Sequence, residues 1–187
     1  MSNERQIIAL SQELSGRWVI PILIALESSG GRFTPLQNQL QIAPARLSDN
    51  LKQLIALGLL RHLSPYERRH PLLPEYQLTD KGRLYREAAK AIRYADTEIG
   101  HGLLSAKAWN MPVLIALHMQ YDRFQDIRTA LGSITPRMLS MRLDELNGAR
   151  LIDKQITETP RPTYAYGLTA LTEAPVSRMA DDLHSLL

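Results

Sequence analysis

Arg46, Ser48, Asp49 and Lys52 fall within a seven-residue window, and Arg137 and Ser140 lie three apart in a later stretch of similar character. If both stretches are helical, these side chains share the polar faces, because neighbours three and four apart on a helix lie on one side. An arginine presented in this way can pair with a guanine edge or neutralise a phosphate, and a lysine near the end of such a helix suits a backbone contact. Arg68 and Arg69 beside His70, and later Arg161, sit in Pro-bearing loop segments that could reach a neighbouring phosphate backbone. These residues are the candidate contacts to duplex DNA. The competing reading is an ordinary solvated surface.

Other chemistries find little support. The chain has no glycine-rich phosphate loop, and no nucleophile with a base or pair of carboxylates is recoverable by spacing, so no catalytic residue is assigned and an enzyme is not expected. His62, His70, His101, His118 and His184 are scattered, and cysteine is absent. Metal ligands at recognisable spacing, disulfides and thiol sensing therefore drop out, and no cofactor is expected. No run approaches the roughly 18 uninterrupted apolar residues of a membrane span. The opening MSNERQIIAL has no secretory pattern, which makes a cytoplasmic protein without a membrane partner the expectation.

The elements that must position the candidate contacts occur twice. Trp18 and Trp109, Pro21 and Pro112, and Phe33 and Phe124 are each 91 positions apart. Ile42 and Ile134, Pro44 and Pro136, Leu47 and Leu139, and Leu51 and Leu143 are 92 apart, after one inserted residue. Tyr76 to Thr79 matches Tyr166 to Thr169 at a spacing of 90. So many apolar positions in register make the chain one unit used twice.

Within each copy, hydrophobic spacing gives a buried helix over 17–27 and 107–118, with Ser105 a candidate cap for the second. A short helix follows, capped in the first copy by Thr34 with Pro35 in its first position. A tight turn leads to a second helix from about Pro44 to Leu57, and from Pro136 after the cap Thr135. Leu47, Leu51 and Leu54, and Leu139, Leu143 and Leu146, should point inward, with Gly58 and Gly148 punctuating the ends. The outward faces differ. Arg46 stands two residues after its proline and Arg137 one, which turns the two guanidiniums apart by about 100° around the helix. Ribbons over 59–63 with 75–78, and over 151–156 with 163–168, complete two helix-turn-helix units with wings.

Net charge is +3, all of it in residues 1–100, which hold 13 Lys/Arg against 10 Asp/Glu; residues 101–187 balance at 9 and 9. The first copy therefore has the stronger electrostatic case for nucleic acid.

The sequence resembles the HxlR-type winged helix-turn-helix transcriptional regulators. The resemblance lies in Arg17-Trp18, in Arg32-Phe33 and Arg123-Phe124, in Ile42 to Pro44 and Ile134 to Pro136, in the Leu-Ser-x-x-Leu within the next helix, in Gly58 to Leu60, and in Tyr76 to Thr79 and Tyr166 to Thr169. Family members are usually single-domain chains that form homodimers on DNA through terminal helices. The tandem arrangement here implies a mainly α fold with small β wings: two tandem winged helix-turn-helix domains, 1–100 and 101–187, forming an intrachain pseudo-dimer. Helices over 84–99, 174–187 and 3–14 would form its seam. The implied partner is double-stranded DNA, and because the outward faces of the two copies differ, the two half-sites are expected to be unequal. The copies depart from the family pattern at Asn50, where arginine is common and Arg142 keeps it, and at Thr172, which stands for the glycine found at Gly82.

Two alternatives stay open. A winged-helix interaction module that has lost DNA binding would suit Asp49, Asp144, Met138 and Met141 on the outward faces. An effector-sensing regulator with a pocket at the seam would show an apolar cavity near Trp18 or Trp109. The effector's identity and further homodimerisation are not fixed by the sequence.

Overall fold

The computed structural model describes residues 3–158 and 162–187, and the fold is mainly helical with two small antiparallel hairpins among them. It divides into two compact units, one formed by Gly16–Lys90 and the other by Met1–Ser15 together with Ala91–Leu187.

In the unit Gly16–Lys90, helix α2 (Val19–Ser28) is almost wholly apolar and puts Ile20, Ile22, Leu23 and Leu26 into the core. Pro21 is tolerated because it sits in the first turn, where the backbone N–H groups have no helical acceptor. Helices α3 (Phe33–Leu40) and α4 (Pro44–Ala56) form the helix-turn-helix. Between them Gln41 takes a left-handed conformation with φ +51°, which closes the turn tightly. Strands β1 (Leu60–His62) and β2 (Tyr76–Leu78) pair in the register Leu60↔Leu78, Arg61↔Gln77, His62↔Tyr76.

A bridge from Arg32 to Glu75 ties the start of α3 to this hairpin. Gly31 permits it: at φ +74° its carbonyl accepts from the Tyr76 amide at 2.8 Å, and a Cβ at Gly31 would stand 2.0 Å from the Tyr76 carbonyl oxygen. Helix α5 (Asp80–Ile99) follows, and the division between the two units falls within it.

In the second unit, helix α1 (Asn3–Glu13) packs on α6 (Asn110–His118), α7 (Phe124–Leu131) and α9 (Ala170–Ser185). Ile7, Ile8 and Leu10 of α1, and Leu14 just after it, are buried. Each such side chain contributes roughly 1.5–3 kcal/mol by leaving water. Helix α8 (Pro136–Gly148) is the counterpart of α4, and strands β3 (Ile152–Thr157) and β4 (Thr163–Leu168) make a six-residue ladder from Ile152↔Leu168 to Thr157↔Thr163. The bridge recurs as Arg123↔Ala165, with the Tyr166 amide donating to Asp122 O at 2.8 Å.

Several local expectations shift. Helix α3 begins at Phe33, so Arg32 rather than Thr34 is the N-cap, and Pro35 lies inside the first turn. The bridge to Glu75 fixes Arg32 in extended backbone and starts the helix early. Ser105 belongs to a 3-10 turn, Leu104–Ala106, and its side chain binds Asp96 instead of capping α6. Gly58 does end α4 in the left-handed region at φ +72°, but Gly148 is still helical, and the equivalent left-handed position falls on Arg150 at φ +59°. Helices α5 and α9 start four residues earlier than the family pattern implied, at Asp80 and Ala170. Thr79 and Thr169 explain this. Their hydroxyls donate to the carbonyls of Gly58 and Arg150 respectively, at 2.7 and 3.1 Å, which anchors the chain directly at the strand end.

Candidate nucleic-acid interface

Helix α4 is strongly two-sided. Leu47, Leu51 and Leu54 are buried, while Arg46, Asp49 and Lys52 are exposed and Ser48 is half-buried. Among the described residues, no hydrogen bond or ion pair engages the side chains of Arg46, Asp49 or Lys52. Asn50 is taken out of the outward set, since its Nδ2 donates to the Arg46 carbonyl at 2.8 Å.

Helix α8 repeats the inward face with Leu139, Leu143 and Leu146. Thr135 caps it as expected, accepting from the Met138 amide at 3.2 Å. Arg137 and Ser140 are exposed, and no described side chain engages them. Further charges on this helix are engaged. Arg142 Nε donates to Ala108 O at 3.0 Å and its guanidinium pairs with Glu145 at 2.7 Å, while Asp144 lies 3.8 Å from Lys154 of β3. Lys154 also stands over the rings of Tyr164 and Tyr166, at 4.2 and 5.8 Å. Burial raises the Tyr166 phenol.

The first wing separates its two arginines sharply. Arg68 donates to Leu63 O at 2.7 Å and Pro71 O at 3.1 Å, and lies 3.1 Å from His62 Nε2. All three partners are neutral, so the guanidinium is held in place with its charge uncompensated. Burial and the Arg68 charge both lower the His62 pKa, and His62 stacks on Tyr76 with ring centroids 4.9 Å apart.

Arg69 is spent differently. Its amide and Nε both donate to the buried Glu75 carboxylate, at 3.0 and 2.9 Å, and its remaining reach goes to Gly30 O. The Arg69 amide and guanidinium pull the Glu75 carboxyl below its ordinary value. Glu67 is held at about 2 by Arg61 at 2.7 Å and by the Ser64 amide at 2.9 Å. Arg161, the remaining candidate, lies outside the described residues.

The candidates thus fall into three sets. Arg46, Lys52 and Arg137 are exposed cations on helix faces. Arg68 is an anchored wing cation, and Arg69 is a cation cancelled by its neighbour. Individual charges in a sequence do not reveal which carboxylate a loop will fold against, and Glu75 lies six residues from Arg69. Lys154 and Glu145, which organise the α8 face, were not among the candidates. The same holds for Asn110, although aligning the repeats would have exposed it, because Asn110 stands where the first copy has Val19.

No group of three or more potential metal ligands is assembled among the described residues, and no described helix is long and apolar enough to cross a membrane. A family model described as HxlR-like helix-turn-helix matches residues 13–101 and, a second time, residues 103–184. No curated protein and no solved structure matches the chain.

Proposed function

The chain belongs to the HxlR-like helix-turn-helix family of DNA-binding transcriptional regulators, and on that premise we propose that one chain reads two unequal half-sites of duplex DNA. In this reading α4 and α8 are the groove-facing helices of evolutionary halves 1–100 and 101–187, together an intrachain pseudo-dimer. The observation that carries it is the set of exposed, unengaged cations on faces opposite buried leucine rows: Arg46 and Lys52 on α4, Arg137 on α8. A cation already neutralised by a fixed carboxylate gains little from phosphate, whereas a free one releases counterions on binding.

The half-sites are unequal because the faces are. The position of Arg46 in α4 is Met138 in α8, that of Asp49 is Met141, and that of Lys52 is Asp144, which faces Lys154. Ser48 and Ser140 are the shared element. Arg68 on the first wing is the proposed flanking phosphate contact, and Arg69 serves to shape the loop that presents it. Arg161 is the proposed counterpart on the second wing.

Selection of bound duplexes from a random pool, with light scattering to count chains per complex, tests this. The expected product is an imperfect inverted repeat bound by one chain. A perfect palindrome among the selected sites, or a complex that needs two chains to cover one such site, rejects it.

A further inference from the structure

We propose that the second repeat carries a small-molecule site at the base of α6, built for a compact uncharged ligand with an apolar body and one O–H or N–H donor. A cleft of about 200 Å³ opens there between the 3-10 turn, α6, the C-terminal half of α8 and the residue preceding β3. Leu104, Leu146 and Leu151 form its buried apolar wall, and Leu103 stands half exposed at its rim.

Asn110 also lines the cleft and is only 3% exposed. Its Nδ2 donates to Leu104 O at 3.2 Å, and its Oδ1 is buried with no partner. A buried acceptor in that state carries an uncompensated desolvation cost. The first repeat shows that the fold does not require it: 91 positions earlier stands Val19, which is buried and apolar. The backbone beside Asn110 is also unusual. Trp109 has φ +77°, a left-handed conformation rare for a bulky side chain, whereas Trp18 in the first repeat has φ −114°.

The chemistry of the ligand follows from what is missing. Oδ1 can only accept and is closed to solvent, so the ligand must be a donor that the Asn110 amide turns to meet. Lys107 and Glu145 in the lining already pair at 3.3 Å, and Glu145 also takes Arg142 at 2.7 Å; an ionised ligand would compete with those pairs. The leucine wall favours an apolar body.

Occupancy would be felt by α8. Glu145, Leu146 and Ala149 of that helix border the cleft, and Arg142 Nε holds the Ala108 carbonyl, two residues before Asn110. This regulatory consequence rests on α8 being a groove-facing helix; the site itself does not.

The test titrates the isotope-labelled full chain, without DNA, with phenol and separately with anisole, which keeps the ring and lacks the donor. Saturable amide shifts are expected at Leu104, Asn110 and Leu146, with phenol binding at least tenfold tighter than anisole. Asn110→Val, the residue of the first repeat, should bring phenol down to the level of anisole. Absence of saturable shifts at these amides, or equal affinity for the two probes in the unsubstituted chain, overturns the proposal, and that comparison needs no variant to fold. Retention of the phenol preference in Asn110→Val overturns it as well. Because no duplex is present, a failure of the DNA-binding reading leaves the result interpretable.

Discussion

Thr172 Oγ1 donates to the Leu151 carbonyl at 2.7 Å, and 90 positions earlier the same junction is made by Gly82 with no side chain, where a Cβ would stand 1.9 Å from the Leu59 carbonyl oxygen. One copy closes the gap between wing and following helix by direct approach, the other by a hydroxyl spacer. The loss of the family's glycine in the second copy is thus a compensated change.

Gly82→Ala should therefore destabilise the unit Gly16–Lys90 by on the order of 3 kcal/mol, because backbone must move to admit the methyl group. Thr172→Val removes one hydrogen bond and should cost about 1 kcal/mol. Urea denaturation compares them. Equal costs would mean that the two junctions are not built differently.

Arg46→Ala and Arg137→Ala should each weaken duplex binding by about 1–3 kcal/mol and relax preference in one half-site only, if each reads a base. Lys52→Ala should weaken all sequences alike and lower the salt slope by about one counterion. Binding measured across a salt series on selected and scrambled duplexes separates the two behaviours. A uniform loss for all three variants would make every one of them a phosphate contact.

Acid should loosen the first wing before the helices. Glu67 and Glu75 have carboxyls held below their ordinary value, so their support is complete above the unfolded carboxylate range and is lost as pH falls through the folded values. For Glu67 that window runs from 4.5 down to about 2. Amide exchange at Ser64 and Arg69, whose N–H groups donate to these carboxylates, should accelerate relative to Leu51 over this range. Protection that falls equally at all three sites would contradict it.

Asp96 has the opposite sign. It is 2% exposed and burial raises its pKa, against the hydrogen bonds from the side chain and amide of Ser105. A carboxyl raised in the folded state holds its proton more tightly there, so stability declines as pH climbs from the unfolded value through the folded one. Asp96→Asn removes that decline. The variant should gain on the parent as pH rises from 4 to 7 in thermal unfolding, and a relative loss over that range would refute the assignment.

The repeat made most of this fold legible. The leucine rows of α4 and α8, the Thr135 cap and both wings follow from hydrophobic period and local turn chemistry, which act within a few residues. What escaped depends on chain closing on itself. Arg32 became the cap of α3 because Glu75 bridges to it, Ser105 was diverted by Asp96, and Arg69 was neutralised by Glu75. Local propensity carries no information about such meetings. Arg150 escaped for another reason: the left-handed position after α8 was assigned to the nearest glycine, while the copy of Gly58 is an arginine.

The place of α1 has a consequence for synthesis. Its apolar side, with Ile7, Ile8 and Leu10, packs on α6, α7 and α9, none of which exists until translation has passed Asn110. The residues between, Gly16–Lys90, form a compact unit and can be complete on the ribosome first. Helix α1 is therefore made before its partners and must wait for them, its greasy stripe in the open for the time taken to make about a hundred more residues, some 5–20 seconds at ordinary elongation rates. A chaperone that surveys nascent chains would find its apolar stripe on α1.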